Sequence, residues 1–276
     1  MKHLRRVDVV AVLVDEEPMK GSVPCDRLVR TTDWAGQADV LITWGGLLPE
    51  SLRVFDGVTV GVCHGDSANP WQAEATRGLT RCCNTIVGVS KASHPVFVHS
   101  GVDVSRVMVR KPVPKPFAKT LLFMGRVSSE KRPGVVPDVV DALPPEWGAA
   151  IVGPDRWCPV REHPRVLRVP ATDDVGAWYD VADCVIIPSE SEGFCFTMFE
   201  AWAARVPVVC GDWPVLREIE AFAGEPLAIR VSNDADWAPA VLNAKVSDKA
   251  WRLTKSYFSA PAMADRWEKF LELAVK

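Results

Sequence analysis

Ala182–Pro207 reads ADCVIIPSESEGFCFTMFEAWAARVP, and three textures follow one another within it. Ala182–Ile187 is a short apolar run closed by Pro188 and a polar Ser-Glu-Ser-Glu-Gly loop, the text of a buried strand ending at a loop. From Thr197 to Arg205 helix formers take over (Met198, Glu200, Ala201, Ala203, Ala204), and Val206-Pro207-Val208-Val209-Cys210 starts another strand. The predicted unit is strand, glycine-containing loop, helix, strand. In a parallel sheet that loop lies at the carboxyl ends of the strands, where open α/β folds bind ligands.

The chemistry follows from this placement. Backbone N–H groups around Gly193–Thr197 point out of the helix start with the positive end of the dipole behind them, which suits phosphate or another anion. Gly193 lets a ligand approach the backbone closely. Glu192 in the loop and Glu200 about one turn into the helix offer ionised oxygens that only accept hydrogen bonds, each able to grip vicinal hydroxyls. An anion site between two such carboxylates fits a diphosphate between two polyols, as in a nucleotide-sugar. The same text is also compatible with a plain helix start carrying acidic residues for dipole reasons.

The run Glu192-Gly193-Phe194-Cys195-Phe196-Thr197-Met198-Phe199-Glu200, with Ala201 and then Val206–Val209 behind it, resembles the signature of retaining family-four glycosyltransferases of the GT-B fold. The resemblance implies that Glu192 holds the donor sugar, Glu200 holds the ribose hydroxyls, and Gly193, Phe194, Cys195, Phe196 and Thr197 line the donor site. A second match lies upstream. Lys119–Gly125 (KTLLFMG) reads as a buried strand leading into Gly125-Arg126-Val127-Ser128-Ser129-Glu130-Lys131. Arg126 and Lys131 are spaced so that a strand end and the next helix start each aim a cation at one diphosphate. That pattern resembles the family's Gly-Arg…Lys donor-diphosphate motif.

Length and composition agree with an enzyme of this kind. A chain of 276 residues can bury a large core, and two domains is the natural prior. The 48% hydrophobic and 24% charged content is that of a globular protein, not a disordered one. No apolar run approaches the ~20 residues of a membrane helix, and Asp8, Asp15, Glu16 and Glu17 interrupt any signal-peptide core, so a cytoplasmic location is expected. Eight cysteines without a Cys-x-x-Cys pair read as buried reduced thiols, not a metal site. The net charge of −3 argues against a dedicated nucleic-acid binder.

Towards the N-terminus, Arg6–Val14 is the near-continuous apolar text of a central parallel strand, and Ala38–Trp44, Val58–Cys63 and Asn84–Ser90 read as further strands. Pro70, after Asn69, opens a helix through Arg81. Family members usually carry a Gly-rich loop after the first strand; here the loop Glu16–Gly21 has a single glycine. His64 stands just past a strand end, where the resemblance implies a cleft histidine that positions or polarises substrate. Asp66 is a candidate base or acceptor-binding group.

Lys111–Pro116 holds three prolines and marks the expected boundary between an N-terminal domain (1–112) and a nucleotide-sugar-binding domain (117–258). No acidic residue falls between Asp103 and Glu130, and Arg106, Arg110, Lys111 and Lys115 cluster there, with Arg110 and Lys111 as acceptor-side candidates. Further strands are expected at Gly148–Gly153, Arg165–Val169 and Leu227–Val231. Helices are expected after Asp173-Asp174, over Asp234–Lys245, over Ser247–Phe258 and at the C-terminus, where the resemblance implies that the segment 262–275 packs back on the first domain. Trp157 is a candidate for stacking on the base, although most of the eleven tryptophans belong to the core.

The resulting expectation is an α/β protein of two Rossmann-like domains facing across a cleft. It moves a sugar from a nucleotide-diphosphate donor to a hydroxyl acceptor with retention, and needs neither cofactor nor metal. Two alternatives stand beside it. One keeps the chemistry but makes the acceptor a macromolecule such as modified DNA. The other is an inert nucleotide-sugar-binding regulator. Residues 1–112 carry 13 Lys and Arg against 12 Asp and Glu, which offers no general field for a polyanion, so DNA is the minority option.

Overall fold

The computed structural model describes residues 10–13, 27–30, 39–44, 55, 57–65, 70–108, 111–155 and 158–274. The loop Glu16–Gly21, Asp66, Arg110 and Trp157 lie outside the described residues. Chain contacts divide the molecule into one unit of Met1–Gly101 with Ala260–Lys276, and a second of Val102–Ser259.

The second unit is built on a six-stranded parallel sheet. Its strands are β6 (Lys119–Met124), β7 (Trp147–Val152), β8 (Val166–Val169), β9 (Cys184–Ile187), β10 (Val208–Gly211) and β11 (Ile229–Val231). Their order is β11-β10-β9-β6-β7-β8, with every pairing parallel. The chain therefore winds outward one way from β6, returns, and winds outward the other way from β9. This is the doubly wound order, and the crevice between the ends of β6 and β9 is its switch point. Leu121, Leu122, Ala149, Ala150, Ile151, Val185 and Ile186 are almost wholly buried, as expected of strands covered on both faces.

Helices cover that sheet. α2 (Val135–Ala142) and α6 (Trp237–Asn243) share a core cluster with Leu121, Phe123, Ile151 and Ile186. α3 (Val175–Val181) precedes β9, and α4 (Phe196–Ala203) follows it. α5 (Pro214–Ala223) begins with proline in its first turn and stops at Gly224, whose φ of 79° closes the helix. α7 (Asp248–Ser256) is capped by Ser247, whose hydroxyl accepts from the Ala250 amide at 3.1 Å.

In the first unit β3 (Val40–Trp44), β4 (Val58–Cys63) and β5 (Thr85–Gly88) form a parallel sheet in that order, and β1 (Val10–Leu13) pairs in parallel with β2 (Arg27–Arg30). α1 (Pro70–Thr80) packs on β4 and β5. The C-terminal α8 (Ala260–Ala274) brings Trp267 and Phe270 against Val60, Val87 and Val98.

Four details differ from the sequence reading. The division falls at Gly101/Val102, not at the proline-rich stretch, because a 3-10 turn at Val104–Val107 packs on α3 and α4. β2 was not expected, since four residues of Arg-Leu-Val-Arg carry no alternation to read. The helix expected over Asp234–Lys245 starts with a 3-10 turn, Asp234–Asp236, and is α-helical only over Trp237–Asn243. α8 begins at Ala260, so Pro261 lies within its first turn, where its missing N–H costs nothing.

Candidate active site

The candidate site occupies the switch point of the second unit. β6 leads into Gly125 (φ 149°), and β7 beside it leads into Gly153 (φ 152°). A Cβ on Gly153 would stand 1.8 Å from the Gly125 carbonyl oxygen, so the two strand ends meet backbone to backbone. After Gly125 the chain passes through Val127, which bridges to Asp155, into a short 3-10 turn, Ser129–Lys131. The loop after β9 is tied to this turn: the Glu190 amide donates to the Glu130 carbonyl at 2.9 Å. The two loops that the sequence reading assigns to the donor are thus joined directly.

Across that junction Lys131 Nζ donates to Glu192 Oε1 at 2.5 Å. Both side chains are largely buried, so the ion pair sits in a low-dielectric setting where each charge depends on the other. Arg126 behaves differently. It is exposed and pairs with Glu130 at 3.2 Å, while Glu130 also accepts from the Ser128 hydroxyl at 2.8 Å. Burial pushes the Glu130 carboxyl up, but its hydrogen bonds and the nearby Arg126 and Lys131 hold it below its ordinary value.

α4 starts at the same place. Its N-cap, Cys195, has φ 67° and ψ 72°, a left-handed conformation for a residue with a side chain, and no side chain caps the helix. The first turn of any helix leaves backbone N–H groups without intrahelical partners, and here that turn opens beside Lys131 and Glu192. The Thr197 hydroxyl donates to the Met124 carbonyl at 3.1 Å, anchoring the helix start to the end of β6. Phe194 is buried and stacks on Phe199 with ring centroids 4.3 Å apart, so any contribution it makes to ligand binding comes through its backbone. The Cys195 thiol is also buried; burial first, then the Glu192 charge, push its pKa far up, which makes it a poor nucleophile. The Phe196 ring is half exposed at the mouth of the turn.

Glu200, one turn further on, is 8% exposed. Tyr179 of α3 donates its hydroxyl to Glu200 Oε2 at 3.0 Å, and Arg106 from the 3-10 turn lies 3.8 Å from Oε1. Burial raises the Glu200 pKa; Arg106 and then Tyr179 act against it without cancelling it. Tyr179 is itself fully buried, and burial and the Glu200 charge push its phenol far up, so it remains a donor. Neither partner was assigned to the site from sequence. Tyr179 reads as an apolar helix position and Arg106 as one of several linker cations, and no spacing connects either to Glu200.

The remaining sequence candidates fall elsewhere. His64 follows β4 in the first unit; its side chain reaches solvent, while partial burial lowers its pKa below the ordinary histidine value. Lys111 is exposed, and its backbone amide donates to Asp174 at 2.7 Å. No group of three or more metal-ligating side chains occurs among the described residues, and no described helix is long and apolar enough to cross a membrane. All described cysteines are unpaired. A cavity of about 930 Å³ opens beside β11 and α7, lined by Leu227, Lys245, Asp248 and Arg252, and shares no residue with this site.

Comparison with known proteins bears on this geometry. Residues 118–244 match the family of glycosyl transferases group 1. The chain is 27% identical over 165 residues to the lipopolysaccharide core biosynthesis mannosyltransferase LpsB of Rhizobium meliloti, covering 50% of this chain and 46% of that protein. It is 32% identical over 126 residues to a D-inositol 3-phosphate glycosyltransferase of Xylanimonas cellulosilytica, covering 39% and 28%. The chain thus spans less than half the length of these curated relatives. Among solved structures, Anabaena Alr3699/HepE in complex with UDP-glucose superposes with a TM-score of 0.67 at 15% identity, over 81% of this chain and 74% of that one. Sucrose-phosphate synthase of Thermosynechococcus elongatus gives 0.66 at 15% identity, over 85% and 73%. The fold is the α/β fold of GT-B glycosyltransferases.

Proposed function

We propose that this chain is a glycosyltransferase that moves a sugar from a nucleotide-diphosphate donor to a hydroxyl acceptor with retained anomeric configuration. The observation that carries the reading is the meeting of Lys131, Glu192 and the α4 start at the switch point, with Glu200 one helical turn away. A cation and helix amides meet the diphosphate, and a carboxylate stands at either end for a polyol. The group 1 match over residues 118–244 covers this entire constellation.

In the proposed reaction the bond between the anomeric carbon and the diphosphate oxygen breaks, and the acceptor oxygen bonds to that carbon on the same face. The acceptor proton passes to the departing phosphate oxygen. Lys131, Arg126 and the amides near Gly193–Thr197 balance the leaving charge, so the reaction requires no metal. Glu192 orients the sugar and Glu200 the ribose. His64, on the first unit, polarises or positions a reacting group.

For the acceptor we favour a small or flexible hydroxylated molecule over DNA. Arg106 faces Glu200, and Lys115 is paired with Asp183 at 2.6 Å, which takes two linker cations away from any polyanion. A thermal-shift panel of nucleotide-sugars tests the reading. A ligand at a hundredfold its Kd adds about 2.7 kcal/mol of stability, and the active donor must also release nucleoside diphosphate in the presence of a chelator. Stabilisation with no release for any acceptor would favour an inert binding protein instead.

A further inference from the structure

Glu200 is a nearly buried carboxylate whose two oxygens are treated differently. Oε2 accepts from Tyr179, a fully buried phenol with a fixed position in α3. Oε1 has only a long contact, 3.8 Å, to a guanidinium that is 55% exposed. A buried neutral donor at normal hydrogen-bond distance fixes the side chain; a half-solvated cation beyond that distance leaves its oxygen open to a better partner. Arg106 owes its place to the 3-10 turn Val104–Val107, which lies on α3 and α4. That turn packs closely because α3 carries Gly176, where a Cβ would meet the Met108 carbonyl oxygen at 2.7 Å.

We infer that Tyr179 and Arg106 are positioning residues for the nucleotide end of the site: together they hold Glu200 ionised with Oε1 presented to the ligand's vicinal hydroxyls. The inference rests on the proposed function, since it assumes that a nucleotide binds at Glu200. Tyr179 supplies direction, because its single O–H fixes Oε2 and hence the plane of the carboxylate. Arg106 supplies charge, which keeps the carboxylate from taking a proton in a setting that favours the neutral acid. The groups that bear on the Glu200 titration are these two, with the buried Cys195 thiol acting on Tyr179. No step requires either residue to touch the sugar that moves.

The test measures the dissociation constants of UDP, GDP, ADP and TDP by calorimetry at pH 6 and pH 9. It uses the wild type, Tyr179→Phe, Arg106→Ala and Arg106→Lys, with circular dichroism confirming folding. Tyr179→Phe keeps the buried ring, and Arg106 is exposed enough to be replaced without a cavity. For whichever nucleotide binds the wild type, Tyr179→Phe and Arg106→Ala should bind about tenfold more weakly at pH 6. At pH 9 the deficit of Arg106→Ala should be clearly smaller than at pH 6, since ionisation then needs less help. Arg106→Lys should lie between the two at pH 6. For Arg106→Ala a purely structural role would weaken binding equally at both pH values, and that result, or wild-type affinity in both variants, would overturn the inference alone. If none of the four nucleotides binds the wild type, the proposed function falls, and the inference with it.

Discussion

The two carboxylates of the site are equally buried but differently compensated. Glu192 meets a full positive charge at contact distance, Lys131 on the loop after β6. Glu200 meets a neutral phenol at contact distance and a cation only at 3.8 Å. A buried carboxylate leaning mainly on a neutral donor keeps a raised pKa. The proposed sugar end is therefore held by a contact ion pair, and the proposed nucleotide end by a buried phenol and a more distant cation. The loop after β9 carries one of these electrostatic designs and the first turns of α4 carry the other.

The sharpest way to break this contrast is to remove the lysine. Lys131→Ala leaves Glu192 buried without its counter-charge and takes a cation from the leaving group, and turnover should fall on the order of a hundredfold. Arg126→Ala, by the sequence reading, should cost as much. The structure narrows that expectation, because Arg126 is exposed and already held by Glu130, so the smaller loss belongs to Arg126. Single-turnover rates on folded variants decide between them.

A smaller effect separates the carboxylates themselves. Glu200→Gln should raise KM with little change in kcat, because ribose is present in donor and product alike, whereas Glu192→Gln should depress kcat. Each change is expected to be about tenfold, read from steady-state kinetics. Exchanged phenotypes would mean that the sugar and ribose ends are reversed.

Acidity should act at Glu200. An ionised Glu200 is the stronger acceptor for the proposed ribose hydroxyls, and its pKa is raised, so nucleotide affinity is expected to decline as pH falls through that raised pKa. Folding has the opposite sign. A carboxyl with a raised folded pKa contributes stability that is complete below its unfolded pKa and is lost as pH rises through the folded one. Glu200→Gln should therefore flatten both profiles, measured by calorimetry and by urea midpoints.

The smallest effect serves as a control. Asp183 precedes β9, and burial pushes it up, but hydrogen bonds from Lys115, the Thr120 amide and Lys119 hold it below its ordinary value. Its contribution is present above the unfolded pKa and lost as pH falls through the folded one, the reverse of Glu200. Asp183→Asn should cost about 1 kcal/mol at neutral pH, because both lysines are half exposed and the amide bond is partly kept. A chemical denaturation midpoint at two pH values checks it.

Much of the second unit was legible because parallel strands are buried on both faces and appear as unbroken apolar runs. Lys119–Met124, Trp147–Val152 and Cys184–Ile187 all fall within a residue or two of their expected limits. The loops and the helix start that bring Lys131, Glu192 and Glu200 to one strand-end crevice were legible because loop-and-helix spacing is local. The domain boundary was not: proline reports local stiffness, whereas the division depends on what the residues from Val102 onward touch. Tyr179 and Arg106 were invisible for the same reason, since their meeting with Glu200 is made by the tertiary packing of α3 and the turn at Val104–Val107 on α4.

Gly176 carries a consequence for genetics. It contacts no proposed ligand and has no chemistry of its own, yet the close approach of the Met108 carbonyl depends on its lacking a side chain. Gly176→Ala would lift the segment that bears Arg106 and leave every group of the switch point in place. In a screen for lost donor use, such an allele would be recovered beside true active-site alleles while the protein accumulated normally. Suppressors should then map to the facing turn, at Val107 or Met108, and not to the residues proposed to bind the nucleotide.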